Sequence, residues 1–298
     1  ATYPVTQNAE MACITGGVHI RLSAARAGAL SFALRISLLW HRLNHHPLIL
    51  PGIMSFTSRL LSTIPGIRYA FLDVHETAAF PYSEMAPVKL VHSNIVHEYL
   101  APQAERPHAD AMFTAVSGQK IGVVTADCLP LLMASRDGRY ICSVHAGWRG
   151  AASGIIENSL ALFQRYHVAP QDLVVVSGPH IHACCYEVTA DFYQALLAMP
   201  AGELAKRHRE QLFLPHQAAS VGEQAQATAD DNVWFDLRAF AHLLLRSAGV
   251  PEENMEWLGS CTYCTPQLLG SFRRRTHFPA PKSFQYSWIM REPDSAGR

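Results

Sequence analysis

Between Lys120 and Gly150 the chain reads KIGVVTADCLPLLMASRDGRYICSVHAGWRG. The apolar, β-branched run up to Thr125 marks a strand. Ala126, Asp127 and Cys128 break it, and a β-hairpin follows with arms Leu129–Ser135 and Tyr140–Ala146. Asp137-Gly138 stands where the arms reverse, a dipeptide that favours a type I′ turn because both central residues then need φ > 0. A two-residue turn there makes Arg136 face Arg139. Cys128 then lies opposite Gly147, and His145 opposite Pro130. Residues two apart on a strand share a face. Cys128 and His145 therefore point to one side of the hairpin's open end, as diagonal neighbours about 7–8 Å apart along the backbone.

A Cys and a His on one face admit three readings. They are a buried thiol beside a satisfied histidine, a Cys/His nucleophile pair, or two ligands of a metal that needs a third from elsewhere. The neighbours are Gly147, Asp127, Trp148 and Arg149, poor core material and good site material.

These residues also carry a resemblance. Thr125-Ala126-Asp127-Cys128-Leu129-Pro130, His145-Ala146-Gly147-Trp148-Arg149-Gly150, Gly178-Pro179 with Tyr186-Glu187-Val188, and Ser271-Phe272-Arg273-Arg274 follow in that order. Over about Pro65 to Glu292 the chain resembles the YfiH-type polyphenol oxidase/laccase-domain family, which includes purine nucleoside phosphorylases. The resemblance implies a single layered α-β-β-α domain with mixed sheets. It nominates His92, in Lys89-Leu90-Val91-His92, as the third zinc ligand beside Cys128 and His145, with Leu90 where the family usually has Gln. It also implies purine nucleosides and phosphate as substrates. The expected activities are phosphorolysis of adenosine, inosine, guanosine and methylthioadenosine, and deamination of adenosine.

Three protein ligands leave an open fourth position, the pattern of catalytic zinc. Arg149, Arg273 and Arg274 are the candidates for holding anionic charge. Asp127 is a candidate catalytic or ligand-orienting carboxylate. The first alternative is a copper-dependent polyphenol oxidase, because N/S sites often favour Cu(II) over Zn(II). Against it, the chain has one His-x-His pair, His180-Ile181-His182, where a multicopper cluster needs several. The second alternative is a hydrolase with Cys128 as nucleophile.

With 298 residues, 49% of them hydrophobic, one large domain or two are possible, and the chain can bury a sizeable core. Zero formal net charge gives no basic excess for nucleic acid. Seven scattered cysteines are no secreted disulfide framework, so a cytoplasmic setting is expected. Residues 1–53 read as an N-terminal extension, acid-free from Met11 on and Arg-containing, as in organellar transit peptides, with no run long and apolar enough to span a membrane. The domain proper is expected to start at Met54.

Beyond the hairpin, Tyr69–Val74, Val88–Val96 (carrying His92), Leu173–Ser177, Met255–Ser260 and Phe284–Met290 read as strands. Ala151–Arg165 and Asp191–Met199 read as helices, as does the segment from Trp234 to Gly249 with Asp236 as N-cap. His97 and His108 are alternative ligands near His92. Adjacent Cys184 and Cys185 read as structural. Cys261-Thr262-Tyr263-Cys264 reads as a lone C-x-x-C without the second pair that a metal site needs.

Overall fold

The computed structural model describes residues 56–220 and 222–293. The expected extension at 1–53 lies outside them. The strands are β1 (Ile67–Phe71), β2 (Val96–Glu98), β3 (Ala111–Thr114), β4 (Lys120–Thr125), β5 (Leu129–Ser135), β6 (Ile141–Ala146), β7 (Leu173–Ser177), β8 (Glu187–Val188), β9 (Phe213–Leu214), β10 (Val233–Phe235), β11 (Met255–Trp257) and β12 (Gln285–Arg291). The helices are α1 (Val74–Ala79), α2 (Trp148–Ser153), α3 (Ile155–Arg165), α4 (Ala190–Leu197), α5 (Gly202–Arg207), α6 (Arg209–Leu212), α7 (Leu237–Ser247) and α8 (Phe272–His277). Among the described residues no helix is long and apolar enough to cross a membrane.

A six-stranded mixed sheet runs β11-β7-β5-β6-β3-β2, with β11/β7 and β2/β3 parallel and the rest antiparallel. Strand alternation divides its side chains between two cores. Leu131, Met133, Val144 and Val175 pack with α3 and α7 residues such as Ile156, Phe163, Phe240 and Leu244. Leu132, Ala134, Val174 and Val176 pack the other way, against Phe71, Ile121 and Ile289 of a second sheet, β1-β12-β4. The layers are thus helix, sheet, sheet. The expected outer helical layer amounts, among the described residues, to α1, which packs beside β12. A small third sheet, β8-β10-β9, stands apart.

The hairpin register is the expected one: Pro130 pairs with His145 and Leu129 with Ala146. The turn is different. Gly138 alone takes positive φ, at 69°, and Asp137 does not. The loop closes on Ser135 and Tyr140, with Gly138 N donating to Ser135 O at 2.8 Å and Asp137 Oδ1 accepting from Arg139 N at 3.0 Å. A four-residue loop closed there keeps the register of a two-residue turn at Asp137-Gly138, so the turn type was wrong and the pairing right.

Other local expectations need correction. No strand spans Val88–Val96. The chain turns at His92, whose φ is 58°, and β2 begins only at Val96. The helix expected at Ala151–Arg165 is two helices, broken where Gly154 takes φ 102°. Trp234 and Phe235 belong to β10, and Asp236 then caps α7 by accepting from Ala239 N at 2.8 Å. Such a cap contributes about 1 kcal/mol. After β1, Asp73 and Glu76 form a capping box that opens α1.

Candidate functional site

The break after β4 carries the chain from one sheet to the other. Asp127 crosses it with φ 92°, a left-handed conformation that costs a non-glycine residue about 1–3 kcal/mol. Long-range bonds hold it there. Its carboxylate accepts from Thr262 Oγ1 at 2.5 Å and from Arg273 N at 2.6 Å, and its carbonyl accepts from Ile181 N at 3.0 Å. Burial pushes this carboxyl up, against those hydrogen bonds. Cys128 follows directly and is half-buried.

His92 reaches Cys128 and His145 through Asp110, a residue the sequence reading passed over. Asp110 is fully buried. Its carboxylate accepts from the backbone N–H groups of Val91, His92 and Ser93, at 3.2, 2.9 and 2.6 Å, and from Ser93 Oγ at 2.8 Å. The same carboxylate accepts from His145 Nδ1 at 2.8 Å. One acid therefore folds the turn that presents His92 and orients the His145 ring. Burial alone would raise the Asp110 carboxyl; the bonds from His145 and Ser93 hold it far below the usual carboxylate range. A buried Asp just before β3 was the available signal, but its partners lie far away in sequence.

The ligand atoms of His92, Cys128 and His145 all lie within 4.8 Å of one another. The two imidazoles meet edge to face, with ring centroids 4.9 Å apart. With Nδ1 of His145 bonded to Asp110, Nε2 is left for Cys128 and a metal, the carboxylate–histidine–metal order. The donor set fits zinc: two imidazoles and one thiolate, with an open side. Room for it depends on Gly147, where a Cβ would stand 3.0 Å from Cys128 Sγ and 3.3 Å from His92 Cδ2. His145 is buried and His92 exposed, so the open side faces solvent.

Without metal the pair is an ion pair in the making. Burial would raise the Cys128 thiol, but the His145 charge and hydrogen bonds from His145 and His92 bring it down to about 7. Burial would lower His145, but the Cys128 thiolate and Asp110 hold it up to about 9.

A cavity of about 690 Å³ opens over these three side chains. Its apolar wall includes Leu90, Ile181, Leu237, Phe272 and Phe284, and Tyr186 lines it too. Its volume is in the range of small-molecule sites. Arg149 and Arg273 both line it. The Arg149 guanidinium lies over the Trp148 ring at 4.5 Å. Arg273 donates through Nη1 to Glu187 O at 2.8 Å. Arg274 is not part of that lining; it donates to Glu223 Oε2 at 2.7 Å and to Tyr263 O at 3.4 Å. Among the described residues, neither His97 nor His108 joins a group able to hold a metal.

A second such group does form. Cys184, Cys185, Cys261 and Cys264, all buried, bring their sulfurs within 4.8 Å of one another. This corrects the reading of Cys184-Cys185 as merely structural and of Cys261/Cys264 as partnerless: each pair is the other's complement.

The family described as "Multi-copper polyphenol oxidoreductase laccase" matches residues 69–280. The chain is 29% identical over 205 residues to "Purine nucleoside phosphorylase RC0672" of Rickettsia conorii, covering 69% of this chain and 77% of that protein. It is 26% identical over 259 residues to "Purine nucleoside phosphorylase slr1573" of Synechocystis, covering 84% and 96%. The fold is similar to the crystal structure of YlmD from Geobacillus stearothermophilus, with TM-score 0.62 and 22% identity over 79% of this chain and 94% of that one. Matched over most of its described length, and with YfiH-like structural neighbours, the chain belongs to the multi-copper polyphenol oxidoreductase laccase (YfiH) family, in which curated relatives are named purine nucleoside phosphorylases.

Proposed function

We propose that the protein is a zinc-dependent purine nucleoside phosphorylase, with methylthioadenosine phosphorolysis and adenosine deamination as further activities of the same site. The observation that carries this reading is the convergence of His92, Cys128 and His145 on a cavity that Arg149 and Arg273 also enter. The names of the relatives supply the substrate class.

Zinc held by the three side chains would supply Lewis acidity toward an anionic oxygen. The chain's own residues do the rest. Arg149 and Arg273 hold phosphate by charge-assisted hydrogen bonds. The apolar wall, with Phe272 and Phe284, takes the purine and excludes water. In phosphorolysis a phosphate oxygen bonds to C1′, the C1′–N9 bond breaks, and the base leaves with the proton that the hydrogen phosphate gives up. Tyr186, whose phenol is pushed well up by burial, stays a hydroxyl donor on the wall. Asp127 has both carboxylate oxygens engaged, by Thr262 and Arg273, so its part is to brace the Cys128 loop against α8. Arg274, tied to Glu223, stands outside the cavity lining.

A copper polyphenol oxidase is the weaker reading. The described residues bring together two groups able to hold a metal, one with two histidines and one with none, and a multicopper cluster needs many more. A cysteine hydrolase has one observation in its favour, the thiol lowered to about 7 beside His145.

The test is metal analysis of protein purified without added metal, then inosine turnover with and without phosphate. Hypoxanthine should form only with phosphate, and adenosine should release ammonia. Rapid phenol oxidation by copper-free protein, with no nucleoside turnover, would overturn the assignment. Full metal content in Cys128→Ser with activity lost would favour the nucleophile.

A further inference from the structure

We propose that Cys184, Cys185, Cys261 and Cys264 bind a second metal ion, a structural zinc, that staples the loop after β7 to the loop before α8. The proposal stands apart from the His92 site and from any activity assigned to it.

Geometry is the first argument. A tetrahedral zinc with Zn–S of about 2.3 Å places its sulfurs about 3.8 Å from one another. Here Sγ of Cys264 lies 3.7 Å from Sγ of Cys184 and 3.2 Å from Sγ of Cys185, and all four fall within 4.8 Å. Four sulfurs around one point is the arrangement of a mononuclear S₄ site. A polynuclear iron–sulfur cluster spreads its thiolates farther, because irons and sulfides lie between them.

The surroundings supply the second argument. Thiolates on zinc carry excess negative charge and draw hydrogen-bond donors. Ala225 N points to Cys185 Sγ at 3.4 Å, His182 N to Cys261 Sγ at 3.4 Å, and Ser220 Oγ to Cys264 Sγ at 3.0 Å. Three donors, two from the loop between β9 and β10 and one from the loop after β7, aimed at three of the sulfurs fit thiolate ligands better than apolar thiols.

The third argument is what this lobe lacks. Its core consists of the four cysteines with Ile181, Ala225, Trp234 and Tyr263. Its strands, β8, β9 and β10, have two or three residues each. The described residues between Leu214 and Val233 form no helix or strand. A small core with a long irregular loop is where a staple contributes most. The staple also reaches the first site, since Thr262, between two of the cysteines, donates to Asp127 beside Cys128. Binding replaces the thiol protons by one Zn(II), with no redox change.

The experiment counts metal in full-length chain purified under reducing conditions without added metal. In the His92→Ala/Cys128→Ser background, which removes the first site, the chain should hold one zinc. Adding Cys264→Ser or Cys184→Ser should reduce zinc to near zero. Zinc absent from the background chain, or unchanged by the cysteine substitutions, overturns the proposal; so does iron at full occupancy, or a Cys185–Cys264 disulfide in the reduced preparation. Should a cysteine variant not fold, cobalt(II) exchanged into the background chain decides. It should give the intense charge-transfer and ligand-field bands of four thiolates around a tetrahedral ion, and their absence overturns the proposal.

Discussion

The Nδ1 of His145 donates to Oδ1 of Asp110 at 2.8 Å, and both groups are buried. The same carboxylate accepts from His92 N, so one residue fixes two candidate ligands that are distant in sequence. Asp110→Asn keeps the shape but presents an N–H₂ where only acceptors fit. Loss of such a partner typically costs 10–100-fold in metal affinity. Breaking the buried pair should also cost about 3 kcal/mol of stability. A competition titration against a zinc chelator and a denaturant melt of the metal-free protein check the two effects separately. Unchanged affinity in Asp110→Asn would remove Asp110 from the site.

The Cys128/His145 pair gives the metal-free protein a defined pH response. Cys128 is lowered to about 7, so its contribution to stability is present above the unfolded thiol value and is lost as pH falls through 7. His145 is raised to about 9, so its contribution is full below the unfolded imidazole value and is lost as pH rises through 9. Between those limits thiolate and imidazolium coexist. Alkylation of Cys128 in metal-free protein should therefore show a midpoint near pH 7, and in the same window zinc should displace the imidazolium proton of His145. Alkylation rates measured from pH 5 to about 10, with Cys128→Ser as blank, read this directly. A midpoint near that of an ordinary thiol would contradict it.

How far the sequence could be read depended on how local each cause was. The hairpin register was legible because Asp137-Gly138 fixes where the strands reverse. The turn type was not, since Ser135 and Asp137 side chains close a longer loop with the same pairing. Cys128 and His145 could be placed on one face from strand alternation alone. The turn at His92 could not, because its φ of 58° is held by Asp110, a partner invisible to local pattern. The four-cysteine group stayed hidden for the same reason. The isolated bridge of His180 to Cys261 sets the two pairs side by side, and neither pair signals the other in sequence.

Gly147 is the residue whose absent side chain makes room for Cys128 and His92. Its φ of −67° and ψ of 161° suit alanine, so Gly147→Ala adds no backbone strain. The new Cβ would press on Cys128 Sγ and His92 Cδ2, at 3.0 and 3.3 Å. Overpacking of this kind costs about 1–3 kcal/mol. The variant should fold, melt somewhat lower, and bind zinc at the first site at least ~10-fold more weakly, since misplaced ligands lose coordination geometry. Thermal melts and metal titration of the purified variant check this. Wild-type affinity would mean that the metal sits away from Gly147.

The two cavity arginines and their neighbour should separate in phosphate kinetics. Arg149 is exposed, its guanidinium held over Trp148, while Arg273 is half-buried and braced by Glu187 O. In the proposed function each donates to phosphate, and a charge-assisted hydrogen bond contributes about 1.5–3 kcal/mol. Arg149→Ala and Arg273→Lys should therefore raise the KM for phosphate by roughly 10- to 100-fold at constant inosine. Lysine keeps the charge at 273 but cannot make the fork that bonds Glu187 O and an oxyanion together. Arg274→Ala should leave the phosphate KM within about twofold, because its guanidinium is committed to the exposed Glu223 and surface pairs contribute little. Initial rates against phosphate concentration for the three variants decide it. A phosphate KM that moves with Arg274 and not with Arg149 or Arg273 would relocate the anion site to the far side of α8.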